Sequence, residues 1–109
     1  MRDLTDDEAA VMAVLSQKPL RLVDLQYRTG IEARSIQKAI EDLRRESLAA
    51  ICSGGAGYWT PRTAGDYAGN IDGRRRRAIQ QLVNVRGERR LLRRWYGQLA
   101  MWPEPERAA

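Results

Sequence analysis

The sequence predicts a mostly helical chain with one small β-hairpin (an α+β class), closed by a long amphipathic C-terminal helix. Three observations lead there. Apolar residues recur at three- and four-residue steps in short segments before Ser47. A glycine-rich turn, Ser53-Gly54-Gly55-Ala56-Gly57, then separates two β-prone stretches. From Tyr67 onward, Ile71, Ala78, Ile79, Leu82, Val85, Leu92, Trp95 and Leu99 resume the helical spacing.

Taken in order, Thr5-Asp6-Asp7-Glu8 has the S/T-x-x-E form of a capping box. Its acids suit the positive end of a helix dipole. Ala9, Val11, Met12 and Leu15 follow at near-helical spacing, so a first helix is expected over residues 6–17, limited by Pro19. A second is expected over residues 23–29, with Leu22, Leu25 and Tyr27 inward, and Gly30 supplies the left-handed residue that ends it. The third, over residues 32–46, shows Ile36, Ala39, Ile40 and Leu43 as a single apolar stripe. Residues 48–52 and 58–60 read as the two strands of the hairpin, the second ended by Pro61. Cys52 reads as a small buried hydrophobe. Thr63 can cap a final helix over residues 64–100, weakened by its glycines and open to a break at Gly87, with a tail from Trp102-Pro103.

Composition narrows the function. The 109 residues contain no His and one Cys, so a Ser-His-Asp triad and a His/Cys zinc site both lack their residues, and no internal disulfide can form. No cofactor and no enzymatic activity are expected. The glycine-rich turn lacks the GxxxxGK[ST] phosphate-loop pattern. The longest apolar run, residues 9–15, is too short to span a bilayer, and the acidic start lacks the basic region of a signal peptide. A cytoplasmic chain with no membrane partner is expected.

The net charge of +5 is unevenly placed. Residues 1–63 balance nine bases against nine acids, whereas residues 74–94 hold nine Arg and only Glu88. Such a concentration points to a polyanionic partner.

Leu22, Leu25, Thr29-Gly30-Ile31, Ile36, Ile40, Leu43 and Leu48 together resemble the run found in bacterial and phage winged helix-turn-helix DNA-binding proteins. The resemblance covers roughly residues 4–60. With Gly57-Tyr58-Trp59-Thr60-Pro61-Arg62-Thr63 and the Arg-rich final helix, the chain looks like the small winged-helix proteins of actinobacterial phages and mobile elements. Gln26, Glu32 and Ser47 depart from that pattern, and the hairpin tip carries no Arg or Lys. The resemblance implies a winged helix-turn-helix domain over residues 1–62, which leaves 63–109 as an Arg-rich helix, read below from its apolar seam as a dimerisation helix, and a short tail. It also implies sequence-specific binding of double-stranded DNA, as a transcriptional regulator or phage control protein, with the third helix in the major groove.

On that helix the side opposite the apolar stripe holds Arg34, Lys38, Glu41 and Arg45, flanked by Ser35 and Gln37. Arg34 suits guanine and Gln37 adenine. Ser35, Lys38 and Arg45 suit phosphates, and Glu41 a cytosine amino group. Arg74, Arg75, Arg76 and Arg77 are further phosphate candidates, although four consecutive helical residues point to all sides. Leu82, Val85, Leu92, Trp95 and Leu99 form a seam too long for a small domain to cover, so a homodimer is expected. Two other readings remain: a module docking a protein partner, and nonspecific nucleic-acid binding through the last helix alone.

Overall fold

The computed structural model describes residues 2–98. The elements run α1 (Asp6–Val14), α2 (Leu22–Thr29), α3 (Ala33–Arg45), β1 (Cys52–Gly54), β2 (Gly57–Trp59) and α4 (Ala64–Gln98). The chain is thus mostly helical, with one small antiparallel hairpin and a long C-terminal helix, as the sequence predicts. Leu99 and the tail lie outside the described residues. No described helix is long and apolar enough to cross a membrane.

Thr5 and Glu8 make the expected capping box: the Glu8 amide donates to Thr5 Oγ1 at 3.2 Å, and the Thr5 amide to Glu8 Oε1 at 2.9 Å. The helix ends at Val14 rather than at Gln17. Leu15 turns into extended backbone (ψ 139°) and buries its side chain, while the Ser16 carbonyl accepts the Thr60 amide at 2.8 Å, so this backbone is committed to the hairpin. Gly30, at φ 73°, ends α2 as expected. Tyr27 does not face inward; it is 91% exposed. It follows the buried Leu25 by two residues, which on a helix places it roughly on the opposite side.

Helices α1, α2 and α3 pack on one another. Their core is Val11, Leu15, Leu20, Leu25, Ile36, Ala39, Ile40, Leu43 and Ile51, with Cys52 buried alongside. The end of α3 explains where the hairpin begins. Ser47 adopts φ 58°, the Ser47 amide donates to the Arg44 carbonyl, and the Leu48 amide reaches the Leu43 carbonyl at 2.9 Å. This is a Schellman closure with serine in the place glycine usually takes. It turns Leu48 and Ala49 onto the core as irregular chain, so β1 starts at Cys52 and not at Leu48.

The strands pair Cys52 with Trp59, Ser53 with Tyr58 and Gly54 with Gly57, leaving Gly55-Ala56 as a two-residue turn. Gly57 sits at φ 116°, with the Leu20 carbonyl so near that a Cβ would overlap it. That closeness lets Leu20 and Tyr58 exchange two backbone hydrogen bonds, 2.9 and 2.8 Å, which add a one-residue bridge on the outer side of β2. The free side of β1 is closed by the Asn70 carboxamide, which accepts from the Ser53 amide at 3.2 Å and donates to the Ser53 carbonyl at 3.0 Å.

Contacts divide the chain between Asp72 and Gly73. The first compact unit therefore extends past Arg62, where the expected domain ended, to include the opening turns of α4 that carry Asn70. In the second unit the described residues, 73–98, are helical without a break at Gly87. Their larger apolar side chains are exposed.

Candidate nucleic-acid interface

Burial of Ile36, Ala39, Ile40 and Leu43 fixes which side of α3 faces outward. Arg34, Gln37, Lys38, Glu41 and Arg45 are exposed at steps of three and four residues, so they form one stripe along the helix. Ser35 lies at its edge, half-buried, and its hydroxyl donates to Glu32 Oε1 at 3.4 Å. The six residues singled out on this helix are therefore brought together on one side of it.

Their charges are not equivalent. Lys38 Nζ lies 3.0 Å from Asp42 Oδ2, and Arg45 bonds the other Asp42 oxygen while lying 3.7 Å from Glu41. Bonding to Lys38, and then the nearby Arg45, holds the Asp42 carboxyl below its ordinary range. Arg34 alone among the bases of this stripe makes no ion pair with the described residues. The cationic stripe read from the sequence is in place, but Asp42 balances its C-terminal half. Asp42 is the residue that the sequence reading missed. Its signal was present, since it stands four residues after Lys38 and three before Arg45.

Two neighbouring arginines are structural. Arg44 donates to the Ile51 carbonyl (3.1 and 2.9 Å) and to the Ser53 hydroxyl (2.9 Å), fastening α3 to β1. Arg2 forks onto Glu8 at 2.7 Å and reaches Glu46 at 2.9 Å. Glu8 is 2% exposed, and Arg2 with the Thr5 amide holds its carboxyl down at about 2. Glu46 is lowered by the same guanidinium.

On α2, Val23 (64% exposed) and Tyr27 (91%) stand one turn apart on the outer side. Two open depressions, about 740 and 330 Å³, flank the hairpin base beside Gln17, Thr60 and Arg62, and hold none of the residues read as a site. Among the described residues no cluster of His, Cys, Asp and Glu is placed to hold a metal ion.

In the second unit Arg75, Arg76 and Arg77 are exposed and Arg74 is half-exposed. The four point around the helix and form no single face. Leu82, Val85, Leu92 and Trp95 are each at least 40% exposed. Arg86, Arg89, Arg90, Arg93 and Arg94, counted in the basic stretch of the sequence without being named as contacts, are all exposed.

Compared with known proteins, the chain matches no family model, no curated protein and no solved structure.

Proposed function

We propose that this chain is a sequence-specific double-stranded DNA-binding protein, a transcriptional regulator or phage control protein, whose first unit is a winged helix-turn-helix. The exposed stripe of Arg34, Gln37, Lys38, Glu41 and Arg45 on a helix otherwise locked into the core carries the reading. The order of three helices and a hairpin, with the Gly30 turn between α2 and α3, supports it. A helix held this way presents its outer side to a major groove as a rigid body. Arg34 and Gln37 then read bases, and Lys38 and Arg45 exchange Asp42 and Glu41 for phosphates. The hairpin tip, without a basic residue, leaves α3 as the main reader. The reading calls for no cofactor. A second copy on the seam of Leu82, Val85, Leu92 and Trp95 would place two such helices on a two-fold site.

The test is selection of bound duplexes from a random pool, followed by Arg34→Ala with Gln37→Ala. Losing two base-reading side chains should lower affinity for the selected sequence by about tenfold or more. A pool that yields no preferred sequence removes the reading. Sedimentation of the full chain checks the dimer.

Exposure of Val23 and Tyr27 favours a second reading, in which the first unit docks a protein partner through α2. Tyr27→Ala would then abolish that contact and leave duplex affinity unchanged.

A further inference from the structure

The second half of α4 sorts its side chains more sharply than any other part of the helix. At about 100° per residue, Arg86, Arg89, Arg90, Arg93 and Arg94 fall within an arc of about 140°. Val85, Leu91, Leu92, Trp95 and Tyr96 occupy the rest, centred roughly opposite. Glu88, the one acid of this stretch, lies on the apolar side. None of the five arginines makes an ion pair with the described residues, in contrast to Lys38 and Arg45 on α3. They cover about 12 Å of helix, over which a duplex presents about seven phosphate charges. All five are Arg and none is Lys, which suits forked, two-bond contacts to phosphate oxygens.

We infer that the arginine face of residues 86–94 is a second binding site, one that takes the phosphate backbone of double-stranded DNA without regard to sequence. It is distinct from the run at residues 74–77, whose side chains point all round the helix. An anionic membrane is the competing occupant, because a helix in a lipid interface buries its apolar side and keeps its arginines on the polar side. It would need both sides of the helix at once, whereas nucleic acid needs the arginine side alone and leaves the apolar side to the second copy proposed above. The inference stands whether or not α3 reads bases.

The experiment measures affinity of the full chain for a short random-sequence duplex across a salt series. Replacing all five arginines by Gln should lower affinity about tenfold or more at low salt. It should also flatten the log–log salt dependence by about 4.5, at roughly 0.9 per phosphate contact. The pairs Arg86→Gln/Arg90→Gln and Arg89→Gln/Arg93→Gln should each remove about 2 of that slope, which keeps the test decisive if the fivefold variant loses helix. Five Arg→Lys changes should keep most of it. An unchanged slope in the Gln variants overturns the site. So does equal competition by polyglutamate or by phosphatidylserine vesicles, which would assign the face to an acidic protein or a membrane. Arg34→Ala/Gln37→Ala removes the preference for the selected duplex over a random one, whereas the Gln variants of α4 lower both affinities together and keep their ratio, so failure of the α3 reading and failure of this one give different results.

Discussion

Residues 2–72 and residues 73–98 use the same charged side chains to opposite ends. In the first stretch Arg2 is held by Glu8 and Glu46, Lys38 and Arg45 by Asp42, and Arg44 by backbone and Ser53. In the second, nine arginines face one acid, and the larger apolar side chains stay exposed. A base with an internal partner fixes structure and must give up that bond to meet a ligand. Arg86, Arg89, Arg90, Arg93 and Arg94, which make no ion pair with the described residues, have no such bond to give up. A buried core beside paired charges should also make the first region sensitive to single substitutions and the second tolerant of them.

The largest expected difference comes from adding one methyl group. Gly57→Ala drives a Cβ into the Leu20 carbonyl at a backbone angle of φ 116°, where side chains are strained in any case. The bridge between Leu20 and Tyr58 cannot survive it. Destabilisation of about 3 kcal/mol or more is expected in urea unfolding followed by circular dichroism. A loss below about 1 kcal/mol would mean that the hairpin is not fastened to the core through Leu20.

Smaller, and still confined to the first region, is Asn70→Ala. It strips the carboxamide from both backbone groups of Ser53 and leaves the side of β1 open. A cost of about 1–2 kcal/mol is expected, with faster amide exchange at Ser53 as the local signature. Unchanged exchange there would detach α4 from the hairpin.

Acid should separate the two regions further. The Glu8 carboxyl sits at about 2 in the fold against an ordinary 4.5, so the unfolded chain binds the extra proton between those values. Stability from this group is complete above about pH 4.5 and is lost as the pH falls towards 2. Glu46 and Asp42 are lowered as well and add to the same acid limb. Glu8→Gln should be less stable than the parent at neutral pH and should converge with it in strong acid. Parallel curves over the whole range would show that the Arg2 contact does not set the limb.

What could be read from the sequence was whatever rests on neighbours along the chain. The Thr5 capping box, the Gly30 stop, the α3 stripe and the exposed seam of α4 each follow from spacings of a few residues. What could not be read depends on the chain returning to itself. Leu20 bridges Tyr58 through backbone alone, so neither side chain signals it. Asn70 closes β1 from 17 residues away, with nothing local to mark it. Arg2 meets Glu46 across 44 residues. β1 begins at Cys52 because Ser47 turns left-handed, a conformation that serine seldom declares. At the candidate interface, the residues of the α3 stripe were legible. Its charge balance was legible too, in the spacing of Asp42 from Lys38 and Arg45, but weighing each base against solvent alone passes over it.

The smallest effect, and the one that tests the comparison most directly, sets two glycine exchanges against each other. Gly87→Ala lies inside α4, where an added Cβ meets only the end of the Arg90 side chain at 3.9 Å. It should strengthen the helix by about 0.5–1 kcal/mol, with more ellipticity and no change in the unfolding of the first unit. Ser47→Gly is the reverse exchange, in the first region. Serine at φ 58° carries a Cβ penalty that glycine lacks, so this change should raise the stability of the core by a similar amount, about 0.5–1 kcal/mol. The same residue type is thus expected to weaken one region and steady the other. A destabilising Gly87→Ala would show that residues 73–98 are packed against something at Gly87, and the contrast between a closed first region and an open second one would have to be given up.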